Sequence, residues 1–182
     1  MAKNLPGSIV ECGVFKGVSL IRWAGFRELF ANHNKNIVAF DVFGDFPRTN
    51  FAGDKKLREK LIADAGKSSI SKDQMMEVLN HKRDGKNVEC IKGDIIKTIP
   101  KYLEKHPDLK ISLLNLDTDI YEPAVTILEN FWPRIVKNGV LILDDYGVFP
   151  GETKAVDDYF KYRPVKIRKF NFSATPCYIV KK

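Results

Sequence analysis

Two apolar runs of this chain each deliver a pair of acids. Leu114-Asn115-Leu116 leads into Asp117-Thr118-Asp119, and Val140-Leu141-Ile142-Leu143 leads into Asp144-Asp145. Carboxylates held close together repel unless a proton or a cation sits between them. A hard divalent cation with oxygen ligands is the simplest such partner. Mg²⁺ in particular uses few protein carboxylates and leaves the rest of its shell to water and substrate. Helix capping or solvated loop acids are the plain alternative for the same residues.

A second chemical stretch lies near the start of the chain, Glu11-Cys12-Gly13-Val14-Phe15-Lys16-Gly17-Val18-Ser19. Gly13 and Gly17 permit a tight turn from strand to helix and close approach of a ligand, whose anionic part can sit on the helix N-terminus. The Gly-x-Gly-x-x-Gly spacing of a nicotinamide fingerprint is absent. Asp41 closes the next apolar run, where an acid can meet ribose hydroxyls, and Gly93-Asp94 closes the one after it. Each of these has a structural counterpart reading as a turn glycine, a loop acid or a helix cap.

The elements that must position these residues alternate. Strand runs are expected at Ser8 to Cys12, Asn36 to Asp41, Val88 to Ile91, Lys110 to Leu116 and Val140 to Leu143. Helices are expected at Val18 to Asn32, Asp54 to Ala65, Ser71 to His81, Ile99 to Lys105, Pro123 to Val136 and Glu152 to Tyr162, with Ser71 as an N-cap and Gly139 as a helix stop. Apolar strands alternating with helices indicate a doubly wound, mostly parallel α/β sheet covered on both faces. Val165 to Phe172 and Cys177 to Val180 are separated only by Ser173-Ala174-Thr175-Pro176, too short for a parallel crossover, so the chain ends in an antiparallel pair. Trp23 and Trp132 fall on apolar helix faces and are expected in the core, whereas Phe15, Phe43, Phe46 and Tyr146 are candidate pocket walls.

Composition bounds the rest. A chain of 182 residues that is 44% hydrophobic suits one globular domain, residues 1–182, with a sizeable core. Thirty Lys and Arg against 23 Asp and Glu give +7, which attracts acidic ligands such as phosphorylated or nucleotide-linked molecules. The basic excess in Lys161 to Lys182 and Lys97 to Lys110 lacks interleaved aromatics, so nucleic acid is not an expected partner. Cys12, Cys90 and Cys177 lie in apolar runs without metal-type spacing and read as buried reduced thiols. With neither a signal peptide nor a membrane-length apolar run, a cytoplasmic location and no membrane partner are expected.

Taken together, Ile9 to Ser19, Phe40-Asp41-Val42-Phe43-Gly44-Asp45-Phe46-Pro47, Lys92-Gly93-Asp94 with Thr98-Ile99-Pro100, Leu116 to Glu122 and Leu143 to Gly147 resemble, in order and over nearly the whole chain, the macrocin O-methyltransferase (TylF/MycF-like) family. The resemblance implies the class I methyltransferase fold, S-adenosylmethionine and Mg²⁺ as cofactors, and a small-molecule acceptor, a sugar or sugar nucleotide, methylated on a hydroxyl. By position, Glu11, Gly13 and Gly17 would line the methionine half of the cofactor, with Val14 and Phe15 in the same loop and Ser19 near the carboxylate. Asp41 would hold the ribose, and Gly93, Asp94 and Ile95 would border the adenine. Asp117, Asp144 and Asp145 would be metal ligands, with Asp117 and Asp145 the catalytic pair. Asp144 follows Asp117 by 27 residues (144 − 117), a strand-helix-strand unit that brings both acid clusters to neighbouring strand ends. Successive strand residues point to opposite faces, so Asp145 must already lie in the turn toward Tyr146-Gly147.

The sequence also departs from its relatives. Catechol-type enzymes carry a lysine three residues after the first metal-binding Asp, and here that position is Ile120. His33, His81 and His106 read as surface residues at helix ends, and the Phe51 to Lys67 insert has no histidine base at a matching position, so the base stays open between metal-bound hydroxide, a carboxylate and none. The first strand begins at Ser8, where the resemblance implies a longer helical segment covering the substrate. The pocket is then expected from Phe43 to Lys72, the Tyr121 loop, Tyr146 to Glu152 and the Ser173 turn, or from a second copy of the chain in a homodimer. Two functions remain: the sugar O-methyltransferase, and a Rossmann-like nucleotide-binding module without methyl transfer.

Overall fold

The computed structural model describes residues 1–182 except positions 1, 3 and 83. Its strands are β1 (Ser8–Cys12), β2 (Ile37–Asp41), β3 (Val88–Lys92), β4 (Ile111–Leu116), β5 (Ile135–Leu143), β6 (Arg168–Phe170) and β7 (Ser173–Val180). Its helices are α1 (Val18–Leu29), α2 (Lys55–Ala65), α3 (Lys72–His81), α4 (Ile95–Lys105), α5 (Tyr121–Phe131) and α6 (Pro150–Phe160), with short 3₁₀ turns at Ala52–Asp54 and Trp132–Arg134. One seven-stranded sheet runs in the order β3-β2-β1-β4-β5-β7-β6, parallel from β3 to β5 and antiparallel at β5·β7 and β6·β7. This is the class I methyltransferase architecture expected of the sequence.

The alternation of strand residues builds two cores, one on each face. Val10, Cys12, Val38 and Phe40 pack toward α4, α5 and α6 with Ile99, Ile127 and Phe131. Ile9, Ile37 and Ala39 face the other way, onto Leu20 and Ala24 of α1 and Met75 and Leu79 of α3. Trp23 and Trp132 pack against these cores, and all three cysteines are free and buried, as their apolar settings implied.

Several boundaries differ from the sequence expectation, each for a local reason. Helix α5 stops at Phe131 because Pro133 breaks the hydrogen-bond ladder in the following 3₁₀ turn, and the chain enters β5 already at Ile135 rather than Val140. Gly139 is thus inside β5 and is no helix stop. A Cβ there would come within 2.6 Å of Ile135 Cγ2 and 2.8 Å of the Val136 carbonyl, at the irregularity that shifts the β4·β5 register. Helix α4 starts a turn earlier than expected, because the Asp94 side chain accepts from Ile96 N–H and caps it, with Pro100 tolerated inside. Ser173 to Pro176 belongs to β7, so the hairpin reverses at Asn171 and Phe172 instead. Ser71 caps α3 as expected, and Gln74 completes a capping box with it.

Strand order reverses between β1 and β4, whose carboxyl ends lie side by side with Cys12 opposite Leu116. In open α/β sheets ligands bind in the crevice that opens there. Both acid clusters and the glycine loop issue from this point.

Candidate active site

The β1 loop crosses the start of the first acid loop at contact distance. Gly13 has φ +95° and donates to the Phe40 carbonyl (2.9 Å), while Asp117 N–H donates to Cys12 (2.9 Å). A Cβ on Gly13 would fall 1.6 Å from the Asp117 carbonyl oxygen, so only glycine fits. Gly17, at φ +84°, stands at the N-cap of α1 against Met75 Sδ, 2.5 Å from where its Cβ would be.

Beyond Leu116 the chain turns sharply. Ile120 N–H reaches back to the Thr118 carbonyl at 2.6 Å, and Asp119 is held at φ 62°, an uncommon conformation for a residue with a side chain. Beyond Leu143, Asp144 N–H still pairs with Leu116 (3.0 Å), but Asp145 already closes a turn, its carbonyl accepting from Val148 (2.8 Å) and Phe149 (3.0 Å). The condition on Asp145 is therefore met. Asp117, Asp144 and Asp145 each offer an oxygen within 4.8 Å of the others.

No described cationic side chain neutralises this group. The ion pairs among the described residues are Arg27–Glu28, His33–Glu28, Lys67–Asp45 and Lys154–Asp158, all elsewhere. Burial, then Asp144, Asp119, Asp145 and Glu11, push the Asp117 carboxyl up to about 9. Burial followed by Asp145 raises Asp144, and burial raises Asp145. Burial, then the Asp145 charge and a hydrogen bond to the Asp145 carboxyl, takes Asp119 well above the usual range. Glu152, fully buried at the start of α6, lies behind them. Its Oε1 accepts from Asp145 N–H at 3.1 Å, its Oε2 meets no partner, and burial followed by Asp145 raises it strongly.

The acids floor a cleft of about 460 Å³. Of the residues expected at the site, Gly13, Phe15, Asp41, Asp94, Ile95, Asp117, Asp144 and Asp145 line it. Glu11 and Val14 are buried behind the loop, and Gly17, Ser19 and Gly93 do not reach the wall. Glu11 pairs with Asn115 (3.4 Å), and burial pushes it up to about 8 against the opposing pull of Ser19, Asn115 and Trp23. The Asp41 carboxylate already accepts four donors: Val14 N–H (2.8 Å) and Phe15 N–H (3.1 Å) on one oxygen, Phe43 N–H (2.5 Å) and Ser69 Oγ (2.8 Å) on the other. That fills its accepting capacity and makes it the organiser of the loops around the cleft.

The aromatic walls divide. Phe15 and Phe46 line the cleft, but Phe43, at φ 45°, turns into the core beside α3, and Tyr146 packs inward with its hydroxyl donating to Asp157 at 2.8 Å. Segments 44 to 50 and 122 to 123 contribute to the wall; 146 to 152 and the β6–β7 turn do not. Asp119, Arg48, Ile96 and Glu122 line it without having been given a role from sequence. Ile120 is 1% exposed.

The macrocin-O-methyltransferase (TylF) family profile matches residues 1–178. The chain belongs to this family. Among relatives, it is 26% identical over 167 residues to demethyldecarbamoylnovobiocin O-methyltransferase of Streptomyces niveus, covering 87% of this chain and 60% of that protein. It is 23% identical over 161 residues to mycinamicin III 3''-O-methyltransferase of Micromonospora griseorubida, covering 86% and 61%. The chain thus spans about 60% of the length of these curated relatives. Among solved structures, the calicheamicin methyltransferase CalS11 superposes with a TM-score of 0.84 at 26% identity, over 98% of this chain and 74% of that one. The O-methyltransferase NovP does so at 0.84 and 23%, over 98% and 73%, and so shares the fold.

Proposed function

We propose that this chain is an S-adenosylmethionine-dependent O-methyltransferase that acts on a sugar hydroxyl, free or nucleotide-linked, with Mg²⁺ held by Asp117, Asp144 and Asp145. The observation that carries this reading is the trio itself: three carboxylate oxygens within 4.8 Å on the floor of a cleft, beside the Gly13 loop, with no described cation paired to them. The relatives support the acceptor class: one is named for 3''-O-methylation of mycinamicin III, and another, from Streptomyces olivaceus, for 4'-O-methylation of a rhamnosyl-bearing tetracenomycin C.

The donor set suits a hard divalent ion, being all carboxylate, few in number and open on the cleft side. S-adenosylmethionine supplies an electrophilic methyl group, and the ion supplies positive charge that lowers the pKa of a hydroxyl it binds. The protein aligns the two reactants, and such positioning can contribute on the order of 7 to 11 kcal/mol. Gly13 lets the cofactor approach the backbone, Phe15, Asp94 and Ile95 wall its side of the cleft, and Glu11 and Asp41 hold the loop from behind. For Asp41 to take a ribose hydroxyl, one of its four present donors must give way. Asp119 is the further cleft carboxylate beside the trio and is the group at hand to receive the acceptor's proton. Ile120, apolar and buried, offers nothing to that step.

Calorimetric titration tests this directly. S-adenosylmethionine is expected to bind the wild-type chain. Asp117→Asn and Asp144→Asn are expected to lower methyl transfer on the order of 10²- to 10³-fold, with cofactor affinity within about twofold of wild type. No binding at millimolar cofactor defeats the reading, and binding without any transfer to sugar hydroxyls, insensitive to EDTA, leaves the nucleotide-binding module instead.

A further inference from the structure

Asp54 is fully buried at the end of the 3₁₀ turn that leads into α2, its side chain does not cap that helix, and it has no place in the reaction as described. Its two oxygens bridge parts of the chain that are far apart in sequence. Oδ2 accepts from Tyr121 N–H at 3.0 Å, and Oδ1 accepts from Gly151 N–H at 2.7 Å. Tyr121 opens α5, two residues after Asp119. Gly151 is in the first turn of α6, directly before Glu152, which in turn accepts from Asp145 N–H. One carboxylate therefore caps both helices that leave the acid loops, and its charge suits the positive N-terminus of each.

The junction is tight and reciprocal. A Cβ on Gly151 would fall 2.0 Å from Asp54 Oδ2 and 2.5 Å from Tyr121 N, so the two helix starts approach as closely as glycine allows. From the other side, Glu122 in the first turn of α5 accepts from Asn50 N–H at 2.7 Å and Thr49 Oγ1 at 2.9 Å, fastening the segment that carries Asp54. Phe51 stacks on Tyr121 with centroids 5.2 Å apart. Residues 49 to 54 form a strap across the starts of α5 and α6.

We infer that Asp54 is a positioning residue: through the strap it fixes the separation of the Asp117 loop from the Asp144-Asp145 loop, and thereby the affinity of the trio for a divalent cation. This rests on the metal reading given above. Asparagine at 54 keeps the shape but offers one acceptor, and its amide would face a backbone N–H donor to donor. Groups bonded directly to metal ligands typically change metal affinity about 10- to 100-fold when altered, and Asp54 acts one remove further back, through Tyr121 and Gly151, so the lower part of that range is expected.

The test is Mn²⁺ binding to the purified full chain by calorimetry, with S-adenosylmethionine affinity measured in parallel. Asp54→Asn is expected to weaken Mn²⁺ at least about 10-fold and leave cofactor affinity within about twofold. Thr49→Val, which removes the strap's hydroxyl bond to Glu122 without altering the cleft wall, its charge or the two caps, is expected to weaken Mn²⁺ about threefold or more and decides the matter if Asp54→Asn does not fold. Variants that melt at lower temperature but bind Mn²⁺ as wild type does overturn the inference, leaving Asp54 a purely structural cap. Wild-type protein that binds no Mn²⁺ instead overturns the metal reading on which it stands.

Discussion

At the amino-terminal rim of the sheet, Arg27 is 2% exposed and donates to the carbonyls of Lys35, Asp84 and Lys86. Lys35 beside it donates to the carbonyls of Leu5 and Gly7 and to Ser112 Oγ. At the carboxyl-terminal rim, buried Thr118 Oγ1 and Glu152 Oε2 meet no partner among the described residues, and acids crowd one another without a neutralising side chain. Buried charge is tolerated at either rim, but it is satisfied at one and left in mutual repulsion at the other. The first pattern is what stability requires, since unmet buried polar groups are costly. The second makes sense where something outside the chain is to be bound.

Breaking each rim should therefore have opposite consequences. Arg27→Met strands three carbonyls and is expected to cost about 3 to 5 kcal/mol in urea unfolding, with cofactor affinity unchanged in whatever protein remains folded. Asp117→Asn should do the reverse. In the metal-free chain Asp117, pushed up to about 9, must take up a proton to fold at neutral pH, so an amide there is expected to stabilise that form by about 2 kcal/mol, while abolishing any gain in melting temperature from added Mn²⁺. If Asp117→Asn destabilises the metal-free protein as Arg27→Met does, the distinction between the rims fails.

This contrast was half legible from residues alone. Leu116-Asp117 and Leu143-Asp144 announced acids at strand ends, Gly13 announced a close approach, and the short interval before Cys177 required an antiparallel finish; all are read within a few residues. Glu152 and Asp54 were not legible, because their importance lies in contacts to Asp145, Tyr121 and Gly151, the last two 67 and 97 residues from Asp54. Phe43 was misplaced for another reason: its backbone takes φ 45° in a loop, where no periodicity says which way a side chain faces. The start of β5 was obscured because Pro133 marks an end to the helix without saying how soon the strand resumes.

The pH dependence of stability sharpens the comparison with a smaller effect. Glu11 rises from an ordinary 4.5 to about 8, chiefly through burial. A carboxyl whose pKa is raised by folding holds its proton more tightly in the native state, so its contribution is fully present below about pH 4.5 and is lost as pH rises toward 8. Asp117 and its neighbours add slopes of the same sign, so wild type alone cannot isolate Glu11. Glu11→Gln keeps the acceptor facing Asn115 and carries no proton to lose. In EDTA, the variant's stability relative to wild type is expected to climb by on the order of 1 to 2 kcal/mol between pH 6 and pH 8. Arg27→Met, at the satisfied rim, is expected to run parallel to wild type over the same interval. Parallel curves for Glu11→Gln as well would mean that Glu11 is as well accommodated as Arg27, and that the unrest of the carboxyl-terminal rim is confined to the acids on the cleft floor.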